Sequence, residues 1–397
     1  MNEIDIFKII NRKDKLFEND ILEKSKELLE IISQSSFLVI GAGGSIGQAV
    51  TKEIALRNPR LLYCIDVSEN SLVELVRDIR SSNYECKNLK TFNVDIGSKL
   101  FIDFFNLSPT FDYVLNLSAL KHVRSEKDAF SLLRMIHTNI FYTRDSVELS
   151  INNDAKKYFC VSTDKAANPV NFMGASKRIM ELYLSNYKNK INISSARFAN
   201  VAFSNGSLLE GFQYRIQKNQ PIAAPTDISR YFVSSKEAGE LCLMSAIFGM
   251  SEEIFFPKLS KDKDMISMSD IAIRYLDFIG FKPHLCKSED EARNIDINGL
   301  KSKSLWPCFF TESSTSGEKK FEEFFLDSEE IDLNRFRDIG IIKNHKTAQI
   351  KQLNEFESFI KKLSPSKLNK KDLEYEFQAL LSNFSHFETD LNLDDKM

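Results

Sequence analysis

Residues 37–47 read FLVIGAGGSIG. The apolar run Phe37–Ile40 meets glycines at positions 41, 44 and 47, and a helix-compatible stretch follows from about Gln48 to Arg57. A short apolar strand, a glycine turn and a helix N-terminus in that order form a cradle for phosphate. Gly41 permits the tight turn, Gly44 lets the backbone approach a pyrophosphate, and Gly47 lets helix and strand pack closely. With Ser45 and Ile46 between them, these residues are the candidate dinucleotide site. The competing reading is a glycine-rich turn without a ligand; the strand before and the helix after favour the cradle.

Asp66 ends the next strand candidate, Leu61–Val67, 19 residues after Gly47. A carboxylate there accepts bonds from both ribose hydroxyls of an adenosine and repels a 2′-phosphate, which selects NAD over NADP. Asp66 could instead cap the helix that follows, a task Ser68 performs equally well. Asp95 and Ile96 after the third strand are placed to bracket an adenine, and Ser118 and Ala119 after the fourth to run beneath the cofactor.

Outward from this unit, strand candidates recur at Phe92–Val94, Tyr113–Leu117, Tyr158–Val161 and Ile193–Arg197, with helical patterns between them. Strand–helix alternation implies an α/β fold with a doubly wound parallel Rossmann sheet. Residues 1–35 carry apolar positions at helical spacing and form a leading helical segment, used for packing or dimer contact. The Rossmann domain takes residues 36–205, a smaller substrate-binding portion 206–298, and a C-terminal extension of helices and loops 299–397, which ends in the acidic DLNLDDKM.

The net charge of −3 gives no sign of a nucleic-acid partner. Six cysteines without a CxxC pair read as reduced thiols of a cytoplasmic protein, with no metal site. The N-terminus lacks a signal-peptide core, and no stretch approaches the roughly 20 apolar residues of a transmembrane segment. Cytoplasmic localisation is therefore expected.

After the fifth strand comes STDKAANPVNFMGASK, Ser162–Lys177. Ligands of such sheets bind at the carboxyl ends of the strands, so the location suits catalysis. Asp164 and Lys165 offer a carboxyl and an amine side by side, a proton-transfer pair or merely a salt-bridged turn. Met173 and Lys177 stand four apart on one face of the next helix. Lys177 there holds a nicotinamide ribose, or else is a solvated helix lysine.

GAGGSIG, NLSALKHV (Asn116–Val123), the Ser162–Lys177 segment, ARFANVAFSNGS (Ala196–Ser207) and SRYFVSSKEA (Ser229–Ala238) occur in this order. Over roughly residues 36–280 the chain resembles the extended short-chain dehydrogenase/reductases of bacterial polysaccharide biosynthesis, and among them the nucleotide-sugar 4,6-dehydratases acting on N-acetylglucosamine. The resemblance implies a nucleotide-sugar substrate and a tightly held NAD that takes a hydride from sugar C4. Loss of the C5 proton then expels the C6 hydroxyl as water, and the hydride returns to C6. It implies that Asp164 protonates the departing oxygen, Lys165 is the C5 base, Thr163 bonds the C4 oxygen and Lys177 holds the ribose. Asn200 and Arg230 match nucleotide-diphosphate contacts, and Lys121, His122 and Ser207 lie near the substrate, His122 with an equally good structural reading.

Met173 stands where relatives carry a catalytic tyrosine. By resemblance it marks the subgroup that retains C5 configuration, and it leaves Asp164 or a water to take the C4 proton. The expected product is UDP-2-acetamido-2,6-dideoxy-α-D-xylo-hexos-4-ulose or its GDP equivalent. The stretch Trp306–Phe325 is similar to soluble dehydratases of legionaminic-acid-type pathways. A 4-epimerase on the same scaffold and a decayed dinucleotide-binding regulator are the competing functions. The fold's habits imply a homo-oligomer joined through a helix pair.

Overall fold

The structure is a computed structural model that describes residues 3–84, 86–314, 317–343 and 348–386. The acidic end DLNLDDKM and residues 315–316 within Trp306–Phe325 lie outside the described residues.

The strands are β1 (Ser36–Ile40), β2 (Leu61–Asp66), β3 (Leu89–Asn93), β4 (Tyr113–Asn116), β5 (Lys157–Thr163), β6 (Asn192–Phe198), β7 (Asn200–Val201), β8 (Ile222–Pro225), β9 (Ser229–Val233), β10 (Glu253–Pro257), β11 (Met265–Ser267), β12 (Lys282–Leu285), β13 (Leu305–Thr311), β14 (Glu330–Asp332) and β15 (Ile339–Lys343). Nine of them form the main sheet, in the order β14-β15-β10-β6-β5-β4-β1-β2-β3. From β3 across to β10 every pairing is parallel, with helices between consecutive strands, which is the doubly wound Rossmann arrangement. β15 and β14 then add antiparallel at the edge. The central strands read as apolar runs because both sheet faces are covered: all five residues of β1 are buried.

Elements of the sheets cross the expected division of the chain at two places. β10 and the helix Ser235–Phe248 fall within 206–298, yet they belong to the Rossmann layers. That helix lies on the helix Ser45–Ala55 so closely that a side chain at Gly239 would meet Ala49 Cβ at 2.9 Å. The stretch 299–397 likewise is no appendage, since it supplies β14 and β15 to the main sheet and β13 to a small sheet with β12 and β8. A second three-stranded sheet, β11-β9-β7, lies beside the site. The leading segment packs within its own chain. Phe7, Ile9 and Ile10 join the core around Trp306, while Leu28 and Ile32 join the core under the main sheet.

The helix Phe172–Ser185 is buried at all 14 positions. Its apolar side, with Met135, Ile136 and Phe141, shares one core with Leu353, Phe356, Ile360, Leu373, Phe377 and Phe384 of the C-terminal part. This face of the helix is covered by the helices Ile350–Lys362 and Lys370–Leu380 of the same chain.

A closed set of charges fixes the C-terminal part to the sheet. Arg197 on β6 is fully buried and donates to Glu181 Oε1 and Oε2 (2.9 and 2.8 Å), to Glu329 Oε2 (3.0 Å) and to the Phe324 carbonyl (2.8 Å). Arg178 joins Glu181 and Glu329 at 2.8 and 3.0 Å, Ser162 donates to Glu181 at 2.6 Å, and the Leu326 amide to Glu329 at 2.9 Å. All six cysteines are buried and unpaired. Among the described residues no helix is long and apolar enough to cross a membrane.

Candidate active site

A cleft of about 510 Å³ opens over the carboxyl ends of the parallel strands. Its floor includes the loop from β1: Gly44, Ser45, Ile46 and Gly47. Gly41 has φ +79°, and a side chain on Gly47 would meet the Gly41 carbonyl at 2.0 Å, so the turn and the close helix contact both require glycine. Gly44 differs, because a side chain there would meet nothing nearer than 3.5 Å. The space above it is open, at the N-terminus of the helix Ser45–Ala55, and that opening fits a pyrophosphate.

Asp66 is not the cap of the following helix. Ser68 performs that task, accepting from the Ser71 amide at 3.3 Å. The two Asp66 oxygens accept from Gly43 N–H and Ser68 N–H, each at 2.8 Å, which ties the glycine loop to β2. Asp95 turns back on its own loop, accepting from Gly97 N–H at 2.9 Å, and Ile96 is buried in the core with Phe101 and Tyr63. The Ser118 amide donates to Asn116 Oδ1 at 3.0 Å. Of these four loop positions, Ala119 lines the cleft, while Asp95, Ile96 and Ser118 do not.

Thr163, Asp164, Lys165, Met173 and Lys177 all line the cleft together. β5 ends at Thr163, and a single 3-10 turn, Asp164–Ala166, carries the acid and the amine. Asp164 is 2% exposed, and its Oδ1 accepts three bonds: Thr163 Oγ1–H at 2.9 Å, Lys165 N–H at 2.9 Å and Lys165 Nζ at 3.1 Å. The salt-bridged turn therefore exists, and it faces the cleft. Burial works to lower the Lys165 ammonium, but Asp164 and Glu322 outweigh it against Arg230 and hold it above the ordinary lysine value.

Lys177 is buried rather than solvated; its Nζ donates to the Val161 carbonyl at 3.1 Å. Burial pulls it below the ordinary lysine value, against Cys160 and Glu181. The Met173 amide donates to Glu126 Oε1 at 2.9 Å, and Glu126 Oε2 lies 3.1 Å from His386 Nε2. Glu126 thus fixes the start of the helix that presents Met173 and Lys177.

Lys121, His122, Asn200 and Ser207 also line the cleft. Ser207 also caps the helix Leu208–Gln217, accepting from Glu210 N–H at 3.2 Å. Lys121 Nζ reaches Ser204 Oγ at 3.3 Å, and the His122 ring packs on Gly206. Arg230 does not line the cleft. It is 3% exposed, donates to the Ser229 and Lys320 carbonyls at 2.9 and 3.2 Å, and faces Glu318 and Glu322 at 3.8 and 3.9 Å. Glu126 and Glu322 were not legible from the sequence, because both contacts join distant stretches and neither residue sits in a motif.

The family described as "Polysaccharide biosynthesis protein" matches residues 37–344. An uncharacterized membrane protein of Methanocaldococcus jannaschii is 29% identical over 80% of this chain and 88% of its own length. The capsular polysaccharide biosynthesis protein CapD of Staphylococcus aureus is 24% identical over 81% of this chain, which spans only 51% of that relative. A UDP-glucose 4-epimerase of Rickettsia typhi is 25% identical over 80% of this chain and 92% of its own. An inverting UDP-N-acetylglucosamine 4,6-dehydratase of Campylobacter jejuni is 28% identical over 57% and 68%. Among solved structures, Pen from Bacillus thuringiensis superposes with TM-score 0.65 at 21% identity, covering 84% of this chain and 99% of that one. DesIV, a dTDP-glucose 4,6-dehydratase from Streptomyces venezuelae solved with NAD and TYD, gives TM-score 0.55 at 15% identity over 72% and 87%. These likenesses are likenesses of fold.

Proposed function

The chain belongs to the polysaccharide biosynthesis protein family, and we propose that within it the protein is an NAD-dependent 4,6-dehydratase of UDP- or GDP-N-acetylglucosamine that retains C5 configuration. One observation carries the reading: a carboxyl and an ammonium 3.1 Å apart at the end of β5, in a cleft whose other side is an open glycine cradle. Epimerisation at C4 needs no such acid–base pair. The cradle Gly44–Gly47, Asp66, Ala119 and Lys177 would hold NAD, which is bound in the related fold of DesIV. When bound, NAD supplies the hydride acceptor for C4 and the donor for C6.

The chain's own residues manage the protons. Thr163 Oγ1 stands 2.9 Å from Asp164 Oδ1, so a proton leaving the C4 hydroxyl passes through Thr163 to Asp164 without a tyrosine. Asp164 delivers that proton to the departing C6 oxygen, and water leaves. Lys165, in its neutral form, takes the C5 proton and returns it to C5 once C6 is reduced. The sum is one water lost, with both side chains restored. Met173 contributes no proton; it fills the tyrosine position with an apolar group. The carboxyl and amine work from one short turn, which supports return of the proton to the face it left and hence retention.

Purified protein incubated with each nucleotide sugar is expected to yield a 4-keto product lighter by one water, read by mass spectrometry, with C5 configuration from NMR. The second reading, a 4-epimerase, draws on the Rickettsia typhi relative. Clean conversion of UDP-N-acetylglucosamine to UDP-N-acetylgalactosamine would establish it and remove the first.

A further inference from the structure

The stretch between β13 and β14 brings a third carboxylate to the catalytic pair. Glu322 is 4% exposed, and its Oε1 lies 3.9 Å from both Lys165 Nζ and Arg230 Nη2. Its Oε2 is buried without a hydrogen bond, 3.7 Å from Lys319 Nζ. A buried carboxylate with an unmade bond is unusual and costly. A few residues on, Glu329 has donors on both oxygens. Glu322 is therefore placed by more than the need to anchor its segment. It does not line the cleft, so it acts on substrate only through Lys165.

We propose that Glu322 is the positioning residue of Lys165: its charge holds the lysine ammonium between two carboxylates, at Asp164 on one side and Glu322 on the other, and so sets where Lys165 gives up its proton. This deepens the dehydratase reading and rests on it. The groups that face Glu322 are Lys165 and Asp164 from the end of β5, Arg230 from β9, and Lys319 from its own segment. Arg230 and Lys319 are cations that oppose its effect on Lys165. Burial holds the Glu322 carboxyl above its ordinary value, with Lys165 opposing. The Glu322 contact to Lys165 is long at 3.9 Å, so the amine is tied by a hydrogen bond on the Asp164 side alone, at 3.1 Å.

A negative charge beside an ammonium favours its protonated form. Removing that charge makes Lys165 lose its proton at lower pH. Glu322→Gln in the full chain is expected to move the acid limb of the kcat–pH profile down by about one unit, lower the plateau kcat about tenfold and leave KM within about twofold. Glu322→Asp is expected to keep the limb near its original pH. A second readout needs no turnover. Limited acetylation with acetic anhydride, followed peptide by peptide in a mass spectrometer, reports the neutral fraction of Lys165. At one fixed pH below the lysine range, Lys165 should be labelled about ten times faster in Glu322→Gln than in the native chain, with Lys177 unaltered and Glu322→Asp near native. If Lys165 labels equally fast in all three proteins, or equally fast in Gln and Asp variants, the positioning role is wrong. A native chain that dehydrates no nucleotide sugar while its Lys165 labelling still shifts as stated would sink the dehydratase reading and leave this one standing.

Discussion

Two buried sets of charges join the C-terminal part to the sheet, and they are built oppositely. Around Arg197, each carboxylate oxygen of Glu181 and Glu329 accepts at least one bond of 2.6–3.2 Å. Around Lys165, three contacts crowd onto one Asp164 oxygen, the Glu322 contacts stretch to 3.7–3.9 Å, and one Glu322 oxygen has no hydrogen-bond donor. The two sets share neighbouring strands and one connecting segment, so difference in chain environment does not explain the contrast. A closed set resists proton movement, because each proton is held between short partners. An open set can let a proton go and take it back. The first is an anchor and the second is suited to chemistry.

The comparison breaks most directly at the open set. Asp164→Asn and Lys165→Ala are each expected to lower kcat by about 10³-fold or more, with the melting temperature of Asp164→Asn near that of the native chain. Product formation by mass spectrometry and a thermal melt on the same samples check both halves. If either variant melts far below the native chain while keeping turnover, the two sets are of one kind.

At the closed set the expectation reverses. Arg197→Met leaves Glu181 and Glu329 buried without their main partner, and a loss of about 3–5 kcal/mol in urea unfolding is expected. The folded fraction should keep its kcat within a fewfold. Glu329→Gln sharpens the contrast with its near neighbour: it should cost about 1–3 kcal/mol, because Arg197 and Arg178 lose a charged acceptor, whereas Glu322→Gln should cost less than about 1 kcal/mol. Equal costs for the two would mean that the unmade bond at Glu322 has no bearing on its role.

The Rossmann half was legible because its signals are local. Phe37–Ile40 and Tyr158–Val161 are unbroken apolar runs, and the glycine spacing fixes turn and helix contact at once. The second half was not, because its order comes from distant partners. β15 contains Gly340, which reads as a breaker, yet a side chain there would meet the Phe256 ring at 2.3 Å. β14 is three residues of mixed character, Glu330–Asp332, held by pairing with β15. Glu322 sits in EKKFEEFF, a charge run that reads as a solvated face. Only the fold reveals that Lys165 and Arg230 wait on the other side. Arg230 shows the opposite case: its motif points to a ligand, and in the structure its donors meet carbonyls and acids of the chain.

A third buried carboxylate tests whether openness alone makes a site, and it carries the smallest effect. Glu240, on the helix Ser235–Phe248, is pushed up to about 8 by burial first and then by Glu53, with Lys236 3.7 Å away opposing. It has no place in the cleft lining, so its proton affects stability and not turnover. A carboxyl raised in the folded state stabilises the fold below its ordinary value near 4.5, and that contribution is lost as pH rises toward 8. The native chain should therefore lose stability across this window. The rim of that helix still meets water, with the Glu240 side chain 10% exposed, so the loss is expected at roughly 1–2 kcal/mol. Glu240→Gln should flatten the pH dependence of the melting temperature between pH 5 and pH 8 on the order of a few degrees, and leave the kcat–pH profile where it was. A shift of that profile would mean that a poorly paired carboxylate reaches the chemistry from outside the Lys165 set, and position beside Lys165 would no longer distinguish Glu322.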